Sequence, residues 1–421
     1  MPWTNWWRGV RGVRHPFDAG LTSVAPRLLS STITPYVLGS PKGERNLAYD
    51  DSDGSARLSP LPRPWPQEGS ETISAAPQQP SVRLVETPPS RATREDAIAL
   101  AKHCIRFRDA KDSHAWRELL VTLALYIGFC GALIVALSVG FWPGLVLAIP
   151  GGMMIVRLFT IQHDCGHGSF FTSRDMNRRV GRIMGLFTFT PYDAWRRAHT
   201  MHHASSGDLG RRGIGDVDTL TIAEYEALTP LKRLGYRIYR HPLVLHVIGP
   251  PIYFLILQRI PFWQALPPKT IWRSVMGLNV ALVAFYGTLG MFVGSWETLV
   301  AGTLVASVAS WVGAWLFYVQ HQFEDTHWSP SEEWNAGVAA LNGSSHYALP
   351  GWVNWLTGHI GLHHIHHLNA RVPSYRLREC MEADSRLGAL SRLSFAESFR
   401  CIGLGLWDED AKRLVSFARA S

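Results

Sequence analysis

The apolar positions of this chain are unevenly spread, gathering in long runs between about residues 118 and 320. A helix needs roughly 20 apolar residues to cross a hydrocarbon core about 30 Å thick, and several runs approach that length. Glu118 to Ser138 (ELLVTLALYIGFCGALIVALS) carries no charge after its first residue, and Val139 to Phe159 follows across the short uncharged stretch VGFWPG. This predicts a helical hairpin with its turn outside the membrane. A second hairpin is predicted from about Val275 to Val293 and from Thr298 to Tyr318, joined by a segment whose only charge is Glu297. Between the pairs, Val244 to Leu257 (VLHVIGPPIYFLIL) is apolar but short, contains His246 and is interrupted by Pro250 and Pro251. It is expected to lie in the interface or to re-enter rather than to span. The predicted fold is an all-α integral membrane protein with four transmembrane helices in two hairpins plus interfacial helices.

Charge orients this arrangement. Arg174, Arg178, Arg179, Arg182, Arg196, Arg197, Arg211, Arg212, Lys232 and Arg233 all lie between the two hairpins, while both outer turns lack Lys and Arg. The positive-inside rule then puts the central segment and both chain ends on the cytoplasmic side. The net charge of +8 suits attraction to anionic lipid or an acidic partner. No nucleic-acid-binding motif is present, so no nucleic-acid partner is expected.

Residues 1–95 are rich in Pro, Ser and Arg without helical period (PRPWPQEGSETISAAPQQPSVRLVETPPS) and read as a disordered extension, with Trp3, Trp6 and Trp7 near its start. They lack the apolar core of a secretory signal, so export is not expected. A membrane domain over 96–405 and a short tail over 406–421 complete the expected organisation. Cys104, Cys130, Cys165, Cys380 and Cys401 form no CxxC pair, hence no disulfide framework or thiolate metal site. No internal repeat is apparent.

Histidine supplies the candidate chemistry. His163 and His167 stand in HDCGH, His199, His202 and His203 in HTMHH, and His363, His366 and His367 in HHIHH. On a helix, residues three or four apart share a face, so each cluster should aim its imidazoles one way. All three clusters fall on the expected cytoplasmic side, as a histidine-rich cap. Structural zinc is satisfied by four ligands and catalytic zinc by three plus water, so eight histidines suit two metal ions, with iron, copper and zinc all accepting nitrogen. Soluble di-iron bundles use a pair of Glu-x-x-His motifs. This chain has one such string, Glu324 to His327, which argues against a ferritin-like site.

The three boxes in this order around two hairpins resemble the integral-membrane fatty acid desaturase superfamily, from about residue 95 to 400. The strings GHGSFF, SGDLGRRGIGDVDTLT, FYVQHQFE and HHLNARVPSYRL are similar to its bacterial acyl-lipid branch. The resemblance implies a di-iron centre that uses O₂ and two electrons to remove two hydrogens from an acyl chain of a membrane lipid. It makes the eight box histidines iron ligands and adds His321, just after the last spanning helix. His359, one turn before His363, is a further possible ligand, and His364 is expected to point elsewhere. Asp164 and Asp193 are candidate outer partners that fix imidazole tautomers. With no HPGG haem string and no cysteine cluster, electrons are expected from a ferredoxin or cytochrome docking on the basic cytosolic face. The setting implied is a bacterial inner membrane.

Three other readings bear on the same residues. A hydroxylase or ketolase acting on an alkane, sterol or carotenoid would share the boxes. A zinc-dependent membrane hydrolase or receptor needs one zinc and no reductant. A metal transporter predicts polar residues within the spans, whereas these clusters flank them. His15, His103, His114, His241 and His246 stand alone and are expected at surfaces or interfaces; His327 and His346 lie outside the pattern. Trp195, Trp352 and Trp355 are read as headgroup-level anchors or as lining of an acyl tunnel.

Overall fold

The computed structural model describes residues 91–213, 215–261 and 268–420. The expected extension, with Trp3, Trp6, Trp7 and His15, lies outside the described residues up to residue 90. Its last residues enter helix α1 (Arg94–Ile105). The Thr93 hydroxyl accepts from the Asp96 amide at 3.2 Å and the Asp96 carboxylate accepts from the Thr93 amide at 3.0 Å, a reciprocal cap that starts the helix.

Helix α2 (Asp112–Ser138) and α3 (Ala148–His167) form the first hairpin. The second of these starts later than its apolar run suggests. Gly140 turns the chain at φ +70°, and Trp142–Leu147, with Pro143 in its first turn, winds as a 3₁₀ segment before α3 begins. Helix α3 then runs on through the polar first box. It stops at Gly168, whose left-handed conformation (φ 68°) closes the helix right after His167. Helix α3 is the most enclosed of the four apolar helices that, among the described residues, are long enough to cross a membrane, packed among α2, the amphipathic α4 (Arg174–Thr188) and a later helix. Close approach to that neighbour is possible because Gly152 faces Val305 and Val308 without a side chain.

Helix α5 (Tyr192–Ser205) carries the second box. After strand β1 (Leu220–Thr221) come α6 (Ile222–Glu226) and α7 (Pro230–Arg240). The segment expected to be interfacial or re-entrant is helical over Leu243–Arg259 and bends by 53° from α7. Two π-helical stretches flank a short α turn, α8 (Gly249–Pro251). Pro250 and Pro251 have no amide hydrogen to give the regular ladder, which widens around them.

Helices α9 (Pro268–Val293) and α10 (Ser295–His321) form the second hairpin. Large apolar side chains such as Val280, Val283, Phe292 and Leu299 on it are exposed, as are Ile127 and Val135 on α2. Such faces belong in lipid rather than water, and the protein is a membrane protein built on helices, as its apolar runs predict.

Beyond the hairpins, α11 (Ala336–Gly343), α12 (Gly351–Leu356), α13 (His363–Leu368) and α14 (Ser374–Glu382) support the third box. A separate core of Leu100, Cys104, Leu341, Ile365, Leu377 and Cys380 joins α1, α11, α13 and α14. Strand β2 (His346–Ala348) pairs in parallel with β3 (Arg392–Ser394). Beyond residue 405 the chain is packed: β4 (Leu406–Asp408) lies between β1 and β5 (Arg413–Val415), with Trp407 and Leu414 buried.

Candidate metal centre

Four elements deliver the histidines. His163 and His167 occupy the last turns of α3, His321 ends α10, and α5 and α13 bring the second and third boxes. The side chains converge as two groups: His163, His167, His199, His203 and His366 in one, and His202, His321, His363 and His367 in the other. Within each group one ring nitrogen per residue lies within 4.8 Å of all the others. The box histidines therefore do not each face one way. His199 and His203, a full turn apart on α5, share the first group, while His202 faces the second. On α13, His366 joins the first group and His363 and His367 the second.

The donor chemistry fits two cations. His167 and His199 Nε2 are 2.9 Å apart, His199 and His203 Nε2 3.0 Å, and His203 and His366 Nε2 3.0 Å. In the second group His321 Nε2 lies 3.2 Å from that of His202 and 3.0 Å from that of His363, which is 3.1 Å from that of His367. A neutral imidazole has one N–H, so a ring of inward nitrogens cannot satisfy itself with hydrogen bonds. Nitrogens about 2.1 Å from one cation lie about 3 Å apart when adjacent, the spacing seen here. His163 Nε2 is buried without a hydrogen-bond partner. Burial holds His199, His203, His363, His366 and His367 well below the ordinary histidine range, with neighbouring histidines adding to the effect. Their lone pairs are thus available at neutral pH.

Two carboxylates orient this set. Asp164 Oδ1 lies 3.2 Å from His163 Nδ1, and its Oδ2 accepts from the Ser374 amide at 2.6 Å. Asp216 Oδ1 lies 2.5 Å from His202 Nδ1. Asp216 was not among the residues singled out from sequence, although it stands in the string SGDLGRRGIGDVDTLT. Asp193 takes no such part: it pairs with Arg182 at 2.9 Å, across the first turns of α5 and the middle of α4. Nor is His359 in either group. Helix α13 begins only at His363, and His359 sits in the preceding turn at φ +59°, so the expected shared helical face does not exist.

Several of the other described histidines have structural partners. His364 Nε2 donates to the Leu387 carbonyl at 2.8 Å and its ring stacks on His346. Burial pushes His364 down to about 3. His103, expected at a surface, is instead buried and donates to the Cys380 carbonyl at 2.9 Å. His114 stacks on Tyr375, and His246 packs against Trp315 and Tyr318. Cys165 is buried between the first-box histidines.

An apolar cavity of about 210 Å³ ends at the metal groups. Phe159, Trp195, Leu245, Tyr253 and Phe317 line its length, and His163, His199, His363 and Asp216 line it as well. Trp195 stacks on His199 with ring centres 4.8 Å apart, holding that imidazole's plane. Trp355 instead covers the Arg157 guanidinium, and Trp352 is exposed.

Comparison with known proteins gives concordant results. The sequence profile of the family described as "Fatty acid desaturase" matches residues 140–398. A "Fatty acid desaturase" of Bacillus subtilis (strain 168) is 35% identical over 76% of this chain and 90% of its own length. An "sn-1 oleoyl-lipid 12-desaturase" of Synechocystis sp. is 28% identical, covering 66% of this chain and 77% of the relative. An "sn-1 acyl-lipid omega-3 desaturase (ferredoxin)" of Synechocystis sp. is 29% identical, covering 55% and 64%.

Proposed function

Because this chain belongs to the fatty acid desaturase family, we propose that it inserts a cis double bond into an acyl chain of a membrane lipid, using O₂ and two electrons from an external carrier. Membership makes it an oxidoreductase acting on lipid acyl chains. The observation that carries the finer reading is that nine histidines in two groups meet the end of an apolar cavity.

His163, His167, His199, His203 and His366 would hold one iron ion, and His202, His321, His363 and His367 the other. Bound there, the pair supplies the oxidising power needed to take hydrogen from an unactivated methylene, which acid–base side chains lack. The protein's part is position and exclusion. Asp164 and Asp216 hold His163 and His202 with their Nε2 atoms facing inward. Phe159, Trp195 and Phe317 present rings to the acyl chain and leave little room for water beside it. Thr160, which also lines the cavity, has its hydroxyl tied to the Val156 and Thr357 carbonyls at 3.2 and 3.1 Å, so it offers the chain no free donor.

The electron carrier is a ferredoxin or a cytochrome, and the ferredoxin in the name of one Synechocystis relative supports the former. The setting is a bacterial inner membrane with the histidines and both chain ends on the cytoplasmic face. The arginines and Lys232 between the hairpins, against outer turns without Lys or Arg, support that orientation.

The test is expression in a host that contains only saturated and monounsaturated lipids, with fatty acids analysed by mass spectrometry that localises double bonds. A new double bond is expected, absent from the His202→Ala variant. Oxygen retained in the lipid product would point to a hydroxylase or ketolase instead.

A further inference from the structure

A second opening reaches the first histidine group and shares no lining residue with the apolar cavity. It is a bowl of about 610 Å³ that includes Cys165, Gly166, His167 and Gly168. Arg174, Arg178, Arg196 and Arg371 also line it, against one carboxylate, Asp175, which pairs with Arg178. Arg174 and Arg178 come from α4, Arg196 from α5 and Arg371 from the turn before α14. A solvated charge run would lie along a single helix; here three elements converge on one opening. Arg174, Arg196 and Arg371 are exposed, and none of the three forms an ion pair among the described residues. His167 is half-buried in the wall, and its Nε2 is 2.9 Å from that of His199.

We propose that this bowl is the docking surface for an acidic one-electron carrier protein of the iron–sulfur type, which brings its redox centre next to His167. The inference rests on the desaturase reading, which calls for two electrons from outside the chain. Each of two successive carriers gives up one electron and leaves oxidised. Those two electrons and two protons from solvent, with the two hydrogens (two electrons and two protons) removed from the acyl –CH₂–CH₂– unit, reduce one O₂ to two H₂O while –CH=CH– forms. An anionic lipid would be drawn to basic residues anywhere along the interface. Convergence of arginines around a histidine of the metal group serves an electron donor, because a protein docked there lies directly against His167, a member of the first histidine group. Complementary charge of this kind sets association rate and partner choice, and it weakens with salt.

The experiment measures binding directly. Full-length protein in nanodiscs of neutral phosphatidylcholine is immobilised, and a plant-type [2Fe–2S] ferredoxin is the analyte at increasing salt. The double reversal Arg174→Glu/Arg371→Glu is expected to weaken binding by about tenfold or more at low salt, with iron content unchanged. Reversal of the exposed Arg400, outside the bowl, should change it by less than about twofold. Wild-type affinity in the bowl variant, an equal loss in Arg400→Glu, or no binding by the wild type would overturn the proposal. So would a loss confined to vesicles containing phosphatidylglycerol, which would assign the arginines to lipid. Failure of the desaturase reading shows separately, as wild-type cells with no new double bond, because binding is read without turnover.

Discussion

At the residue scale, the metal groups depend on which nitrogen each imidazole turns inward, and that is set by the partner on the other side of the ring. Asp216 holds His202 Nδ1 at 2.5 Å, while Asp193 is engaged with Arg182. Replacing Asp216 by Asn is expected to weaken metal binding by about 10- to 100-fold, and Asp193→Asn should leave it unchanged; metal-competition titrations of the purified variants check both. The difference was not legible in the sequence. Asp193 sits six residues before His199 and looks like a neighbour, whereas Asp216 lies 14 residues from His202 along the chain and meets it only because the loop after α5 folds back. The box histidines were legible from spacing alone. Their division between two groups was not, since it depends on which helices face each other across the site. His321 was named only through the family resemblance, and it falls within the second group.

At the scale of elements, uncharged runs gave the two hairpins, because length and apolarity are all a spanning helix requires. Helix α3 differs from its apolar run at the far end: the run stops at Phe159, whereas the helix, entered through Gly140 and the 3₁₀ segment around Pro143, continues through the first box to its cap at Gly168. Helix α3 also carries Arg157, buried between α2 and α12, where its guanidinium pairs with Glu118, bonds the Trp355 carbonyl and lies over the Trp355 ring. Removing Arg157 leaves the half-buried Glu118 carboxylate with only the exposed Arg117 nearby, 3.7 Å away, so the loss is at most the ~3–5 kcal/mol of breaking a buried pair. Arg157→Met should therefore lower the melting temperature in detergent markedly. Arg157→Met combined with Glu118→Gln should recover much of the loss; a double variant no more stable than the single one would place the cost elsewhere, in the contacts to Trp355.

For the molecule as a whole, the arrangement is two routes into one histidine centre. The apolar cavity between α3, α8 and α10 leads to His163, His199 and His363, while the arginine-lined bowl leads to His167. Neither was legible in the sequence. A cavity is formed by side chains from distant segments, such as Phe159, Tyr253 and Phe317, and a single chain's periodicity shows which residues are apolar, not which enclose space. The central claim is that nine histidines build a centre for two metal ions rather than one. Its most direct test is the metal content of purified protein expressed with iron, read as atoms per chain for the wild type and for His321→Ala. The account predicts two irons per chain in the wild type, one for each group, with selective loss in the variant; one tightly held zinc, unaffected by His321→Ala, would contradict it.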